Sequence, residues 1–139
     1  MSDEPNIRIL YVEDLEPVLK RWLRFIRETW GNESHGVRSK EAAIKHLDDG
    51  FRPDLVIHDC RILLYDQDDV ATEEAGNELY YEFVSRGLDV VILSGDDDPT
   101  RKEPYLADPP LGIVFKPAGE DKIREAVGIW LNHKKSRHE

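Results

Sequence analysis

The chain has 139 residues, a length that fits one domain with one hydrophobic core and leaves no room for two. It carries 19 Lys and Arg against 29 Asp and Glu, a net charge of −10, so most of its surface would repel nucleic acid. The single cysteine excludes an intramolecular disulfide. The N-terminus is unlike a signal peptide, and no apolar run could span a membrane. We therefore expect a soluble, cytoplasmic protein that does not bind DNA directly or associate with a membrane.

Short apolar runs rich in β-branched residues alternate with helix-like stretches, which is typical of a parallel sheet wound with helices. Helices are predicted over residues 14–30, 76–86 and 120–133. A further helix is predicted between an N-cap at Ser39 and a stop at Gly50. The predicted strands are 7–12, 36–38, 55–58, 90–93 and 113–115.

The segment between the last two predicted strands is rich in proline. Pro99, Pro104, Pro109 and Pro110 leave room for little more than one or two helical turns. We therefore expect the fourth helix of a five-helix pattern to be short, broken or absent.

Polar residues with metal-binding or catalytic chemistry follow four of the predicted strands directly. They are Glu13 and Asp14, Asp59, Ser94 and Lys116. Ligands of open α/β sheets bind at the carboxyl ends of the strands, so we expect these side chains to converge there. Three carboxylates suit a hard cation such as Mg²⁺, and a hydroxyl and an ammonium group suit phosphoryl oxygens. The set predicts a site for a divalent cation and a phosphoryl group.

Each of these residues also has a purely structural interpretation. Glu13 and Asp14 could begin the first helix, whose dipole favours acids. Ser94 could be a turn residue and Lys116 a solvated charge. Their conjunction at successive strand ends favours the functional interpretation.

The ordered motifs resemble the signatures of the CheY-like receiver domain of bacterial response regulators, over about residues 6–133. The matching segments are LYVED at 10–14, DLVIHD at 54–59, GNEL at 76–79, VILSG at 91–95 and FKP at 115–117. The resemblance implies one receiver domain over 1–139 with a flavodoxin-like (βα)5 fold. That fold is a three-layer α/β sandwich whose five-stranded parallel sheet has the order 2-1-3-4-5.

The resemblance also implies a function and a role for each site residue. Asp59 would accept a phosphoryl group from a phosphohistidine of a histidine kinase or histidine phosphotransfer protein, in a Mg²⁺-dependent reaction. Glu13, Asp14, Asp59 and the main-chain carbonyl of Arg61 would hold the metal, while Ser94 and Lys116 would contact the phosphoryl group. The protein would catalyse its own phosphorylation and dephosphorylation and signal to a downstream protein partner; a homodimer is compatible with this role.

The sequence departs from the receiver pattern at positions that concern signal output. Ile113 stands where the family usually has an aromatic residue, and Ile62 and Leu63 replace the usual Met-Pro. The stretch from Asp59 to Gly76 is also longer than is usual. Together with the proline-rich segment, these departures predict an atypical output face, whereas the complete set of site residues predicts intact chemistry.

The long stretch after Asp59 holds five acids without the spacing of an EF-hand, and we predict a solvated loop that recognises a partner or covers the site. The acids are Asp66, Asp68, Asp69, Glu73 and Glu74.

Other residues near the site have competing interpretations. Arg61 could pair with Asp96 beside the path of the attacking water, or be an exposed arginine without a partner. We expect His58 to pack under a helix, because it points away from the face that bears Asp59, and Cys60 to be a small packing residue. The three tryptophans, Trp22, Trp30 and Trp130, are expected in the core or at an interface.

Two other functions compete with the receiver prediction. A receiver fold that works without phosphorylation could be an interaction scaffold, which Ile113 and the missing fourth helix favour and the complete set of site residues disfavours. A Mg²⁺-dependent phosphatase with Asp59 as nucleophile is disfavoured, because the chain has no cap domain and no second acid two residues after Asp59.

Overall fold

The computed structural model describes residues 6–95, 110–115 and 119–138, and in these residues five strands form one parallel sheet. The strands are β1 (Ile9–Val12), β2 (His35–Val37), β3 (Leu55–Asp59), β4 (Val90–Ser94) and β5 (Gly112–Phe115). Their order is β2-β1-β3-β4-β5, and each neighbouring pair is parallel. The predicted order 2-1-3-4-5 is therefore confirmed.

The helices in these residues are α1 (Glu16–Trp30), α2 (Lys40–Asp48), α3 (Glu73–Ser85) and α4 (Glu120–His138). The α2 helix begins as predicted, because the Ser39 hydroxyl accepts a hydrogen bond from the Ala42 amide at 3.0 Å. The α3 helix begins at Glu73 rather than Gly76, because Thr72 caps it by the same kind of bond. The predicted short fourth helix falls on residues that lie outside the described part of the chain.

Alternate residues of each strand face opposite sides of the sheet, and apolar helix faces cover both sides. Ile9 and Ile57 belong to a buried cluster with α1 and α4, whereas Leu10 and Val56 belong to a cluster with α2 and α3. A parallel sheet is normally buried on both faces, and this one is. The predicted three-layer sandwich is confirmed.

The tryptophans lie on the α1 and α4 side of the sheet. Trp30 and Trp130 are almost fully buried in that core, and Trp22 packs against it. The Trp130 indole N–H donates to the Asp89 carboxylate at 2.8 Å, which ties α4 to the residue before β4. No helix in the described residues is both long enough and apolar enough to cross a membrane.

On the other side of the sheet, β3 contacts α3 through His58 and Gly76. His58 is completely buried; its Nε2 donates to the Gly76 carbonyl at 3.0 Å, and its ring meets Phe83 edge-on. A Cβ atom on Gly76 would overlap the carbonyl oxygen of Cys60. Cys60 is half-buried and packs against the same apolar cluster. His58 and Cys60 are thus packing residues, as predicted, and the close approach of α3 requires glycine.

Replacing Gly76 with alanine should destabilise the fold, because the new methyl group must displace the main chain after β3. We expect Gly76→Ala to lower the free energy of unfolding by about 2–3 kcal/mol in urea denaturation. Gly128→Ala in α4 is the matched control: its Cβ would meet nothing within 4 Å, and it should be neutral or stabilising by about 0.5–1 kcal/mol. Equal effects of the two substitutions would contradict this account of Gly76.

The buried His58 should make the protein lose stability in mild acid. Burial lowers the pKa of His58 from 6.5 to about 4, although the hydrogen bond to Gly76 and the charge of Asp59 oppose this shift. The unfolded chain therefore takes up a proton below about pH 6.5 that the folded chain resists until about pH 4. The contribution of neutral His58 to the free energy of unfolding is fully present above pH 6.5 and is lost as the pH falls towards 4.

We expect this loss to reach about 3 kcal/mol at pH 4, relative to a His58→Gln variant, which lacks the titrating imidazole. The measurement is the free energy of unfolding of both proteins at pH 7 and pH 4. His133→Gln, which replaces an exposed histidine of α4, is the control and should keep the pH dependence of the wild type. A His58→Gln variant with an unchanged pH dependence would show that His58 does not cause it.

Candidate functional site

Three carboxylates meet at the carboxyl end of the sheet. Glu13 and Asp14 follow β1, Asp59 ends β3, and one oxygen of each side chain lies within 4.8 Å of the others. The register of β1 and β3 pairs Val12 with His58, which brings the residues after them side by side. Glu13 is 1% exposed and Asp59 is 7% exposed, so water screens their repulsion poorly. This geometry favours a bound cation.

The chemistry of this donor set fits Mg²⁺. The ion binds oxygen ligands at about 2.1 Å, so opposite ligands of an octahedral ion lie about 4 Å apart, close to the spread of these oxygens. It is usually held by few carboxylates and keeps several positions for water or phosphate oxygens. Glu13, Asp14 and Asp59 would hold the ion, and the main-chain carbonyl of Arg61 stays a predicted fourth ligand.

The loops that follow β1 and β3 orient two of the carboxylates. The Arg61 amide donates to Oδ1 of Asp59 at 3.2 Å, and the Leu15 amide donates to Oε2 of Glu13 at 3.4 Å. In both cases the donor lies two residues after the acid, so each loop curls back on the side chain that precedes it. Glu13 and Asp59 are therefore positioned by backbone that is local to them.

Ser94 is the last residue of β4 and is 4% exposed, one residue beyond the Leu93 that pairs with Asp59. It thus lies at the same end of the sheet as the carboxylates. Lys116 and Asp96 lie outside the described residues, so the roles predicted for them stay predictions. Arg61 is exposed, and its backbone reaches the site through the hydrogen bond to Asp59.

Tyr11 lies beside the acids, although it was not among the predicted site residues. It is 2% exposed, and burial raises its pKa far above the ordinary value of 10, with further contributions from Glu13, Asp59 and Asp14. The phenol therefore stays protonated and adds no fourth negative charge. The signal was available in the sequence, because a residue two positions before Glu13 on an extended chain shares its face.

Arg38 also reaches the site without having been predicted. Its Nε donates to the main-chain oxygen of Asp14 at 2.8 Å. The predicted second strand, 36–38, included Arg38, whereas β2 ends at Val37 and Arg38 directly follows it. A strand boundary one residue earlier would have put Arg38 in the same class of position as the other site residues.

The predicted acidic loop is closed at its base and tied to α2. Ile62 and Thr72 exchange backbone hydrogen bonds at 3.2 and 2.8 Å, and the Ser39 hydroxyl donates to the Asp66 carboxylate at 2.6 Å. The hydroxyl that caps α2 therefore also holds the loop. Whether the loop recognises a partner or covers the site stays a prediction.

Comparisons with known proteins identify the fold. No protein-family model and no curated sequence matches the chain. Among solved structures, it is similar to the N-terminal domain of a response regulator/sensory box/GGDEF protein from Carboxydothermus hydrogenoformans, with 22% identity and a TM-score of 0.75, covering 95% of this chain and 99% of that chain.

Two further structures agree with this result. The signal receiver domain of an HD domain-containing protein from Pseudomonas fluorescens Pf-5 has 19% identity and a TM-score of 0.75, covering 94% of this chain and 98% of that one. A CheY-like receiver domain from Methanospirillum hungatei has 17% identity and a TM-score of 0.70, covering 95% and 98%. The chain has the fold of response regulator receiver domains.

Removing one of the clustered charges should stabilise the metal-free protein. Asp14→Asn keeps the size of the side chain and relieves repulsion, so we expect the free energy of unfolding to rise by about 1 kcal/mol in low salt with a chelator. Adding Mg²⁺ should stabilise the wild type and have much less effect on the variant, because a ligand of the folded state raises stability.

Asp69→Asn, the same change on the exposed loop, is the control and should shift stability by less than about 0.5 kcal/mol in either condition. Urea denaturation with chelator and with Mg²⁺ measures all three proteins. An Asp14→Asn variant that is less stable than the wild type in chelator would show that repulsion does not dominate the cluster.

Proposed function

We propose that the chain is a phosphoacceptor receiver domain, in which Asp59 accepts a phosphoryl group from a phosphohistidine of a kinase or phosphotransfer protein, with Mg²⁺ as cofactor. The observation that carries this proposal is the meeting of Glu13, Asp14 and Asp59 within 4.8 Å at the carboxyl end of a receiver-type sheet. This end is where open α/β sheets bind ligands.

Phosphorylation forms one P–O bond and breaks one N–P bond. A carboxylate oxygen of Asp59 attacks the phosphorus atom, and the N–P electron pair returns to the imidazole nitrogen of the donor, which takes up a proton. Bound Mg²⁺ supplies positive charge that offsets the charge on the phosphoryl oxygens. In hydrolysis, water attacks the same phosphorus, the P–O bond to Asp59 breaks, and phosphate and the free carboxylate result.

The residues around Asp59 support this chemistry. The Arg61 amide fixes one carboxylate oxygen, which restricts the directions from which the acid can attack. Ser94, buried at the end of the neighbouring strand, would contact a phosphoryl oxygen, and Lys116 would pair with another. Protonated Tyr11 keeps the local negative charge at three carboxylates in the metal-free state.

We further propose that the domain signals through contacts with a downstream protein in the cytoplasm. The net charge of −10 disfavours direct contact with nucleic acid. The atypical output face predicted from Ile113 and the proline-rich segment would give this contact a different surface from that of other receivers. A scaffold that works without phosphorylation is the competing function.

The first test is phosphorylation by a small donor. With Mg²⁺ and acetyl phosphate, intact mass should show one added phosphoryl group on the wild type and none on Asp59→Asn or with chelator. The control is Asp54→Asn, which changes the acid directly before β3 and should be modified like the wild type. The Asp54 carboxylate accepts a hydrogen bond from the Arg8 amide at 2.9 Å. Ser94→Ala should slow modification about tenfold or more.

Three results would contradict the proposal. An unmodified wild type in saturating Mg²⁺ would favour the scaffold. Modification that persists in Asp59→Asn would place the acceptor elsewhere. Repeated turnover of a generic phosphate ester would indicate a phosphatase rather than a stoichiometric switch.

A further inference from the structure

The end of β2 and the turn that follows it contact both segments that carry the candidate metal ligands. The Val37 carbonyl accepts from the Glu13 amide at 3.0 Å, and Arg38 Nε donates to the Asp14 carbonyl at 2.8 Å. On its other side, the Arg38 carbonyl accepts from the Leu63 amide at 3.3 Å. From this geometry we propose that Arg38 is a positioning residue, whose side chain holds the Asp14 backbone where its carboxylate can bind Mg²⁺ together with Glu13 and Asp59.

The Asp14 backbone needs such a partner because it lies between regular elements. Strand β1 ends at Val12, and α1 begins at Glu16 after Leu15, an N-cap residue whose side chain makes no capping bond. The Asp14 carbonyl therefore precedes the helical hydrogen-bonding pattern. A hydrogen bond from a charged guanidinium is stronger than one from a neutral donor, and Arg38 is half-buried, which reduces screening by water.

The positive charge of Arg38 also acts on the first turn of α1. The hydrogen bond and charge of Lys20 lower the pKa of Glu16, and the charge of Arg38 adds a smaller contribution in the same direction. The hydrogen bond from Arg38 to Asp14 links β2 to the short connection between β1 and α1, which carries two of the three carboxylates.

The loop after the third carboxylate is held to the same turn by main-chain bonds. Leu63 pairs with Ser39 in a parallel bridge, and its carbonyl accepts from the Lys40 amide at 2.8 Å. These bonds do not depend on the Arg38 side chain. Truncating that side chain should therefore loosen Asp14 and leave the loop after Asp59 in place.

The test compares Arg38→Ala and Arg38→Lys with Arg24→Ala. Arg24 is a control on α1, whose Nε donates to the exposed Glu28. This inference rests on the metal site of the proposed function, but it does not require phosphorylation. The first readout is therefore the Mg²⁺ dissociation constant, measured by calorimetry without any phosphoryl donor.

We expect Arg38→Ala to raise the Mg²⁺ dissociation constant about tenfold, as loss of groups that orient metal ligands commonly does. Arg38→Lys should be intermediate, because an ammonium group lacks the planar fork of the guanidinium. In metal-free protein, hydrogen exchange of a peptide covering residues 13–19 should be faster in Arg38→Ala. Arg24→Ala should match the wild type in both measurements.

A kinetic measurement separates positioning from general loss of structure. At saturating Mg²⁺, the phosphorylation rate of Arg38→Ala should approach that of the wild type, whereas the Mg²⁺ concentration for half-maximal rate should rise. An unchanged dissociation constant in Arg38→Ala would overturn the inference. If that variant does not fold, a wild-type constant in Arg38→Lys would overturn it instead.

The two proposals can fail separately. A wild type that binds Mg²⁺ but is not phosphorylated on Asp59 would refute the proposed function, and the calorimetric comparison would still decide the role of Arg38. A wild type that binds no Mg²⁺ would overturn both.

Discussion

The arrangement of the candidate site depends on one electrostatic constraint, the repulsion among three carboxylates at one end of the parallel sheet. Glu13, Asp14 and Asp59 are brought within 4.8 Å because β1 and β3 are neighbours and run in the same direction. Two of these acids are almost completely buried, where charges interact more strongly than in water. The surroundings limit the cost: amide groups donate to two of the acids, and the buried phenol of Tyr11 stays neutral.

The hydrophobic core of the fold offsets the repulsion within this cluster of carboxylates. Apolar side chains cover the sheet on both faces, with α1 and α4 on one side and α2 and α3 on the other. Burial of this surface is the main favourable contribution to folding, and functional sites commonly hold strained or repulsive groups that the surrounding structure offsets. His58 and Gly76 belong to this supporting structure, although His58 directly precedes the candidate phosphoacceptor.

The site combines two kinds of positioning, one local and one long-range. Hydrogen bonds from Arg61 and Leu15 orient acids two residues earlier in the chain and would form in any similar loop. Arg38, in contrast, is 24 residues from Asp14 in sequence and meets it only because β2 lies beside β1. This second kind of contact connects the segment that carries Glu13 and Asp14 to the α2 turn and, through Leu63, to the loop after Asp59.

The amino-acid sequence determined the alternation of strands and helices, the strand order through its family resemblance, and the positions of Glu13, Asp14, Asp59 and Ser94 at strand ends. These features were readable because hydrophobic periodicity, capping residues and strand-end positions are local patterns. Only the tertiary structure decided that one oxygen of each acid lies within 4.8 Å of the others, that α3 closely approaches the chain after β3, and that Arg38 donates to the Asp14 carbonyl. Those features arise from the register between strands and from contacts between loops distant in sequence, which no local pattern encodes.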